Sequence, residues 1–144
     1  MNSLRLTACL MITFLVSACG GMREGPQHGC PGATGKLVPV NIHYNAPDIN
    51  VHPDPAQAVQ GDILQFNVTA SKGSFIKTEG KTSKDDWLLG GIVKTKGTTK
   101  FYVCVPDNLF DPNSRGEKPR TEEFKYNVEA DSDILDPRVT VSEF

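Results

Sequence analysis

GDILQFNVT, residues 61–69, carries the clearest strand pattern in the chain, and the fold prediction starts from it. Its apolar side chains, Leu64, Phe66 and Val68, alternate with polar ones. Successive side chains of a strand point to opposite faces of a sheet. The stretch therefore predicts a strand with one buried face, and Gly61-Asp62 predicts the turn that precedes it.

The same alternation recurs on both sides of this strand. Weaker apolar pairs occur at residues 75–76 and 92–93, residues 78–86 are polar enough to predict a loop, and residues 107–120 predict a long loop. No stretch of more than ten residues has the 3.6-residue period of a helix. The predicted fold is an all-β Greek-key β-sandwich of seven to nine short strands. The other alternating sets are Val38, Val40, Ile42 and Tyr44; Ile49 and Val51; Phe101, Val103 and Val105; Phe124, Tyr126 and Val128; and Val139 and Val141.

The N-terminus has the pattern of an export signal. Arg5 precedes an apolar run, residues 6–16, that is shorter than the roughly 20 residues a membrane-spanning helix needs. Val16-Ser17-Ala18-Cys19 then resembles the lipobox of bacterial lipoproteins, which implies cleavage after Ala18 and lipidation of Cys19. Two or three acyl chains would anchor the protein in a membrane, because each buried methylene contributes about 0.8 kcal/mol. The alternative is an ordinary secreted protein cut at the same place.

This resemblance also implies an address and a domain organisation. In lipoproteins of bacteria with two membranes, aspartate after the lipidated cysteine retains the protein at the inner membrane, and here that residue is Gly20. The expected location is therefore the cell envelope, with the outer membrane facing the periplasm favoured over the inner membrane. We expect a signal peptide at residues 1–18, a flexible Gly/Pro-rich tether at 19–35 and the β-sandwich domain at 36–144.

The charge balance excludes one class of partner. Without Arg5 of the signal, the chain keeps 14 of its 15 basic residues and all 17 acidic ones, whereas nucleic-acid binders carry a concentrated basic surface. No nucleic-acid partner is expected. Residues 72–100 nevertheless hold seven lysines and three acidic residues. This segment predicts either a basic face that meets anionic lipid or a wall polymer, or a solvated face of a sheet.

The cysteine count predicts one disulfide bond. Of four cysteines, Cys9 leaves with the signal and Cys19 takes the lipid, so Cys30 and Cys104 remain. Two thiols in an oxidising compartment are expected to pair. The alternative is two separate thiols, one in the tether and one in a strand.

Three segments resemble cupredoxin-like domains. Residues 60–66 resemble the Gly-Asp-x-Val-x-Phe strand of that family, residues 100–104 resemble the Tyr-x-Tyr-x-Cys strand that delivers the copper thiolate, and residues 136–141 resemble its short final strand. The resemblance implies a cupredoxin-like sandwich, and an immunoglobulin-like one is the alternative. A type 1 copper site needs two imidazoles and a thiolate. No His or Met follows Cys104, so we expect a scaffold without the metal and no cofactor.

The remaining polar residues do not form a catalytic or metal-binding pattern. His43 is predicted on the outer face of its strand and His52 in a turn, while His28 and Cys30 are spaced as a weak chelate without a third ligand. No catalytic residue and no metal site is predicted, and the chain is not expected to be an enzyme. Trp87 is either a core residue or an exposed stacking platform. The neighbouring carboxylates Asp85-Asp86 and Glu122-Glu123 are expected to point apart, as neighbours in strands do.

The predicted function is that of a lipid-anchored envelope protein acting as a non-catalytic binding or assembly module. Its expected partners are the membrane, through the lipid anchor, and another envelope protein or a wall polymer. The alternative is a periplasmic metal-handling or redox protein that uses Cys104 with Cys30 and His28. A hydrolase with its site on the loop at 107–120 is a third hypothesis.

Overall fold

The structure is a computed structural model of the 144-residue chain and describes residues 30, 33, 35–71, 73–89, 93–110, 113 and 119–144. Within these ranges ten strands form two packed sheets. Helical structure there comprises a 3-10 turn, Ser83–Asp85, one α-helical turn, α1 (Asp86–Leu89), and a single residue of 3-10 conformation, Asn113. The predicted all-β sandwich is confirmed. The predicted signal peptide, Cys19 and His28 lie outside the described residues.

Sheet I has four strands, in the spatial order β2, β1, β4 and β7. The first and fourth strands in the chain, β1 and β4, run parallel, and the other two pairings are antiparallel. The strand predicted from residues 63–69 is β4, and it lies between β1 and β7. The bounds are β1 (Leu37–Asn45), β2 (Asp48–His52), β4 (Ile63–Ala70) and β7 (Thr99–Cys104).

Sheet II has five strands in the order β3, β10, β8, β5 and β6, and a short strand, β9, pairs with the end of β8. The β3 and β10 strands run parallel, and the other pairings are antiparallel. The bounds are β3 (Ala56–Val59), β5 (Phe75–Gly80), β6 (Val93–Lys96), β8 (Thr121–Ala130), β9 (Asp133–Leu135) and β10 (Arg138–Ser142).

The core lies between the two sheets and is built from the alternating apolar positions. Phe66 of β4 is fully buried at its centre, with its ring stacked on Phe101 at 4.8 Å and edge-on to Tyr126 at 5.6 Å. Such aromatic pairs contribute about 0.5–1.5 kcal/mol beyond the burial of their area. The predicted inner faces of β1, β4, β8 and β10 are all buried.

Three local expectations differ from the structure. Strands β3 and β9 were not predicted, because the apolar residues of Ala56–Val59 are small and β9 has only three residues. The loop expected at 78–86 is wrong: β5 continues to Gly80, and Ser83–Asp85 and α1 follow. Thr78 is buried and donates from its hydroxyl to the carbonyl of Val93, which lets a polar residue continue the strand.

The strand directions define two ends of the sandwich. The cysteine end comprises Cys30, the Gly61-Asp62 turn and the end of β7, because Ile63 of β4 pairs with Cys104. The turn end comprises residues 46–47, 71, 73–74, 97–98 and 131–132, where β1, β4, β6 and β8 finish. A nine-residue strand such as β1 spans roughly 30 Å, so this distance separates the two ends.

Candidate functional site

An open cleft lies at the turn end, on the outer face of sheet II. Its volume is about 370 Å³, and its lining comes from β5, β6, β8 and the turn after β8. Phe75 at its edge is 58% exposed, and Ile134 of β9, close by in the sheet, is 65% exposed. Large apolar side chains normally mark a binding surface when they cluster with an open cleft. The lining residues are Phe75, Ile76, Lys77, Lys94, Glu129 and Asp131.

The positive charge of Lys77, on the floor of this cleft, is compensated by two carboxylates. Its Nζ lies 2.8 Å from Glu79 of the same strand and 3.2 Å from Glu129, which is its partner residue on β8. Hydrogen bonds to Glu79 and Glu129 raise the pKa of Lys77, although partial burial acts in the opposite direction. The Lys77 side chain therefore links β5 to β8, and its charge is already paired within the sheet.

The two lysines of β6 have no carboxylate partner among the described residues. Lys94 pairs with Lys77 in the strand register, and Lys96 pairs with Phe75. Both are exposed. The Lys96 ammonium lies 5.1 Å from the centre of the Phe75 ring, a cation–π contact that keeps an apolar ring and a positive charge side by side. This edge of the cleft can bind a negatively charged group.

Tyr44 closes the sandwich next to the cleft. The buried Tyr44 ring comes from β1 in sheet I, and its hydroxyl donates to the carboxylate of Asp131 in the turn of sheet II. That hydrogen bond, together with burial and the nearby negative charge, raises the pKa of Tyr44 to about 12. Asp131 has a φ of 53°, in the left-handed region that Asp tolerates better than most residues. The contact fixes the position of one lining residue.

The cysteine end is held by a disulfide bond. Cys30 and Cys104 are bonded across a sequence separation of 74, as the cysteine count predicted. Cys104 pairs with Ile63 on the outer face of sheet I, which is the face that points away from sheet II. Ile63 is nevertheless only 1% exposed. Directly opposed residues have Cβ atoms about 5 Å apart. The bond therefore places Cys30, which is itself buried, at this outer corner.

Asp62 joins the ends of four strands, β1, β3, β4 and β7, at the same end of the sandwich. Its buried carboxylate accepts hydrogen bonds from the backbone N–H groups of Lys36, at 2.9 Å, and Val59, at 2.8 Å. Its own backbone carbonyl accepts from Val105, and the adjacent Gly61 donates to the carbonyl of Val105. The role of this aspartate is structural, because its two side-chain oxygens are occupied by backbone donors that would otherwise lack partners.

The other carboxylates singled out in the sequence also hold the backbone or pair with cations. Buried Asp85 accepts from the Thr82 hydroxyl at 2.6 Å and from the backbone N–H of Lys125 at 3.1 Å. Glu122 lies 2.6 Å from Lys84, and Glu123 pairs with Arg138. These two neighbouring glutamates extend to opposite faces of β8, as alternation predicts.

The histidines and the tryptophan occupy separate places. His43 and His52 are exposed on sheet I. Trp87 packs against the core, with its ring edge-on to Phe124 at 4.9 Å, while its buried indole N–H has no hydrogen-bond partner among the described residues. The core position expected for Trp87 is the one observed. No group of three His, Cys, Asp or Glu side chains that suits a metal ion occurs within the described ranges.

The cleft was missed by reasoning from the sequence. One signal did exist: Phe75 and Ile76 are adjacent, as are Ile134 and Leu135, so in each strand one of the two must face away from the core. The lysine-rich segment at 72–100 supplies the cations, but the sequence does not show that Lys77 is neutralised by Glu129, 52 positions away.

Two comparisons with known proteins found no match. No protein-family model matches the chain, and no curated protein sequence matches it significantly. None of the helices in the described part is long and apolar enough to cross a membrane.

Proposed function

We propose that this chain is a lipid-anchored protein of the bacterial envelope that acts as a non-catalytic binding or assembly module. The lipobox-like residues 16–19 support the anchor, and Gly20 after the cysteine supports the outer membrane facing the periplasm. The disulfide between Cys30 and Cys104 suits an oxidising compartment outside the cytoplasm.

The observation that carries the binding role is the cleft at the turn end. It combines an open volume, the exposed Phe75 ring and two lysines without carboxylate partners in the described residues. A lipid on Cys19 would attach the chain at the opposite end, because only ten residues lie between Cys19 and the disulfide-bonded Cys30. The cleft would then face away from the anchoring membrane.

The polar groups support binding over catalysis. The buried carboxylates Asp62, Asp85 and Glu143 all accept hydrogen bonds from backbone N–H groups, so their lone pairs stabilise the fold. The metal-handling or redox alternative needs Cys104 as a thiolate, and in the structure its sulfur is bonded to Cys30. That alternative would require a reductant first.

A cupredoxin-like lineage, without the copper site, is part of this proposal. Each sheet contains one parallel pair, β1 with β4 and β3 with β10. The sheets of immunoglobulin domains are antiparallel, which favours the cupredoxin-like alternative. Cys104 at the end of β7 occupies the place of the thiolate in the resembling strand, and the bond to Cys30 takes up that sulfur.

The anchor is tested with the full chain expressed in a bacterium with two membranes. We expect the wild type to incorporate labelled palmitate and to fractionate with the outer membrane. Cys19→Ser should lose both properties, whereas the matched control Cys9→Ser, in the signal, should keep them. An unlabelled wild-type protein in the soluble periplasmic fraction would contradict the proposal.

The binding role is tested by placing a photo-crosslinking amino acid at Phe75 in the same cells. We expect discrete crosslinked products from this position and none from the control position His43, which is exposed on sheet I. Equal yields at both positions, or no products at Phe75, would count against a binding surface at the cleft.

A further inference from the structure

Strand β6 is the edge of sheet II that lies beside the cleft. Its only strand partner in the described sheets is β5. The free side of an edge strand carries unpaired N–H and C=O groups that can pair with another chain. Other edges are partly covered: α1 packs against β7, β2 lies against β9 and β3 lies against β1.

Both charged residues of β6, Lys94 and Lys96, are basic, whereas the carboxylates of the adjoining cleft, Glu129 and Asp131, are engaged by Lys77 and Tyr44. The strand register places Ile134, Glu129, Lys77 and Lys94 in one row across four strands. Glu129 is already paired with Lys77, so the positive charge of Lys94 at the end of the row is left over. Lys96 adds a second charge beside the ring of Phe75.

We propose that an extended acidic segment of another envelope protein binds here by adding a strand to β6. Main-chain hydrogen bonds to the free side of β6 would supply affinity, as in other cases of strand addition. Carboxylates at alternate positions of the segment would pair with Lys94 and Lys96, and an apolar side chain would cover Phe75. The same lysines would repel a basic strand, so the edge would prefer an acidic segment. They would also repel β6 of a second copy of this chain, which protects the edge from self-association.

This inference rests on the proposed binding role and names the partner's chemistry. It does not depend on the lipid, because β6 and the cleft are formed within the sandwich. The position of the cleft, roughly 30 Å from the cysteine end, favours a protein that approaches from the side away from the anchoring bilayer.

The test measures binding of fluorescent peptides to the purified full chain in detergent. The probe is a peptide in which Glu alternates with Val and Phe. One control peptide replaces each Glu by Lys, and a second keeps every Glu but contains prolines that prevent strand pairing. We expect saturable binding of the first peptide only, weakened by added salt.

Variants locate the site on the protein. Charge reversal at a partly exposed pair removes an attraction and adds a repulsion, each of modest size. Lys94→Glu and Lys96→Glu should therefore each weaken binding about three- to tenfold. The matched control Lys36→Glu, an exposed lysine at the cysteine end, should leave binding unchanged. Circular dichroism and the retained disulfide verify the fold of each variant.

Several outcomes would overturn the inference. Equal binding of the proline-containing peptide would show that charge alone acts and that no strand is added. Stronger retention on vesicles of anionic phospholipid, or on purified cell-wall sacculi, would make a lipid or a wall polymer the occupant. No saturable binding of the acidic peptide up to about 1 mM would reject it outright. Peptide binding by a Cys19→Ser protein that carries no lipid would show that the binding site does not depend on the anchor. Lipidation of the wild type without peptide binding would reject this inference and leave the proposed anchor intact.

Discussion

The Oδ1 atom of Asp62 lies 2.9 Å from the backbone nitrogen of Lys36, so a buried carboxylate before β4 holds the residue that precedes β1. The strands β1 and β4 run parallel and begin side by side. Parallel strands cannot be joined by a tight hairpin, and this contact fixes their common starting point. It lies in the turn that the sequence indicates before its clearest strand.

Replacing Asp62 by Asn should destabilise the protein by about 1–3 kcal/mol, because one of the two backbone N–H groups that donate to the buried Asp62 carboxylate loses its acceptor. Asp62→Ala should cost at least as much. The free energy of unfolding is measured by urea titration. The control Asp48→Asn, at an exposed position at the start of β2, should stay within about 0.5 kcal/mol of the wild type. Equal losses for Asp62→Asn and Asp48→Asn would contradict the structural role of Asp62.

Gly35→Ala should destabilise the domain through a steric clash. A Cβ atom at residue 35 would lie 2.4 Å from the Gly61 carbonyl oxygen and 2.6 Å from the Cα of Asp62. Backbone atoms at this crowded turn have little room to shift, so we expect a loss of about 1–3 kcal/mol. The control is Gly97→Asn, where φ is +65°, nothing lies within 4 Å of the added atom, and Asn tolerates the left-handed conformation. A Gly35→Ala protein as stable as the wild type would show that residues before β1 are not packed here.

The double variant Cys30→Ser with Cys104→Ser should unfold at lower urea concentration than the wild type. Closing a loop of this length restricts the unfolded chain, and such bonds contribute about 2–4 kcal/mol. Adding a reductant to the wild type should produce the same shift, and adding it to the double variant should produce none. A wild type that is insensitive to reductant, with two thiols titratable before treatment, would contradict the bond.

Tyr44 predicts a fall of stability at alkaline pH. Its pKa is raised to about 12 in the folded protein from an ordinary value of 10.0. Between these values the folded state binds more protons than the unfolded state, so the free energy of unfolding decreases as the pH rises through this window. Burial also raises the pKa of Tyr126, so Tyr44→Phe should remove only part of the decline.

The test of Tyr44 combines urea titrations at several alkaline pH values with the ultraviolet absorbance of tyrosinate. Asp131→Asn is the matched variant, because it keeps a polar residue that tolerates the left-handed turn and removes the negative charge. We expect it to lower the pKa of Tyr44 towards 10.0. An unchanged tyrosinate titration in Asp131→Asn would rule out the carboxylate as the main cause.

The fold could be predicted from residue patterns because alternation is a local property. Leu64, Phe66 and Val68 must share a face whatever their partners are. Residues 78–86 were expected to form a loop because they are polar. Thr78 stays in β5 because its hydroxyl donates a hydrogen bond to the carbonyl of Val93, which belongs to another strand. Strand β3 was missed because Ala56 and Ala58 become core residues only when β10 lies beside them.

The candidate site was less predictable than the fold, because four separate elements build it. Phe75, Lys94 and Glu129 belong to three different strands, and their proximity follows from the register of β5 with β6 and β8. Register depends on pairing between distant segments, which no local pattern specifies here. The excess of lysine at 72–100 can be counted in the sequence. Which of these lysines pairs with a carboxylate depends on the strand register.

The sequence by itself determined the all-β class and a cysteine pair available for bonding, because alternation and residue counts need no knowledge of neighbours. It also indicated, through residues 16–19, where the chain is expected to be processed and anchored. The tertiary structure was needed to show that Cys30 and the cleft lie at opposite ends, and that Lys77 is paired with two carboxylates whereas Lys94 and Lys96 have no carboxylate partner among the described residues. The physical reason is that distance and charge pairing depend on strand order and register, which arise from contacts across the whole chain.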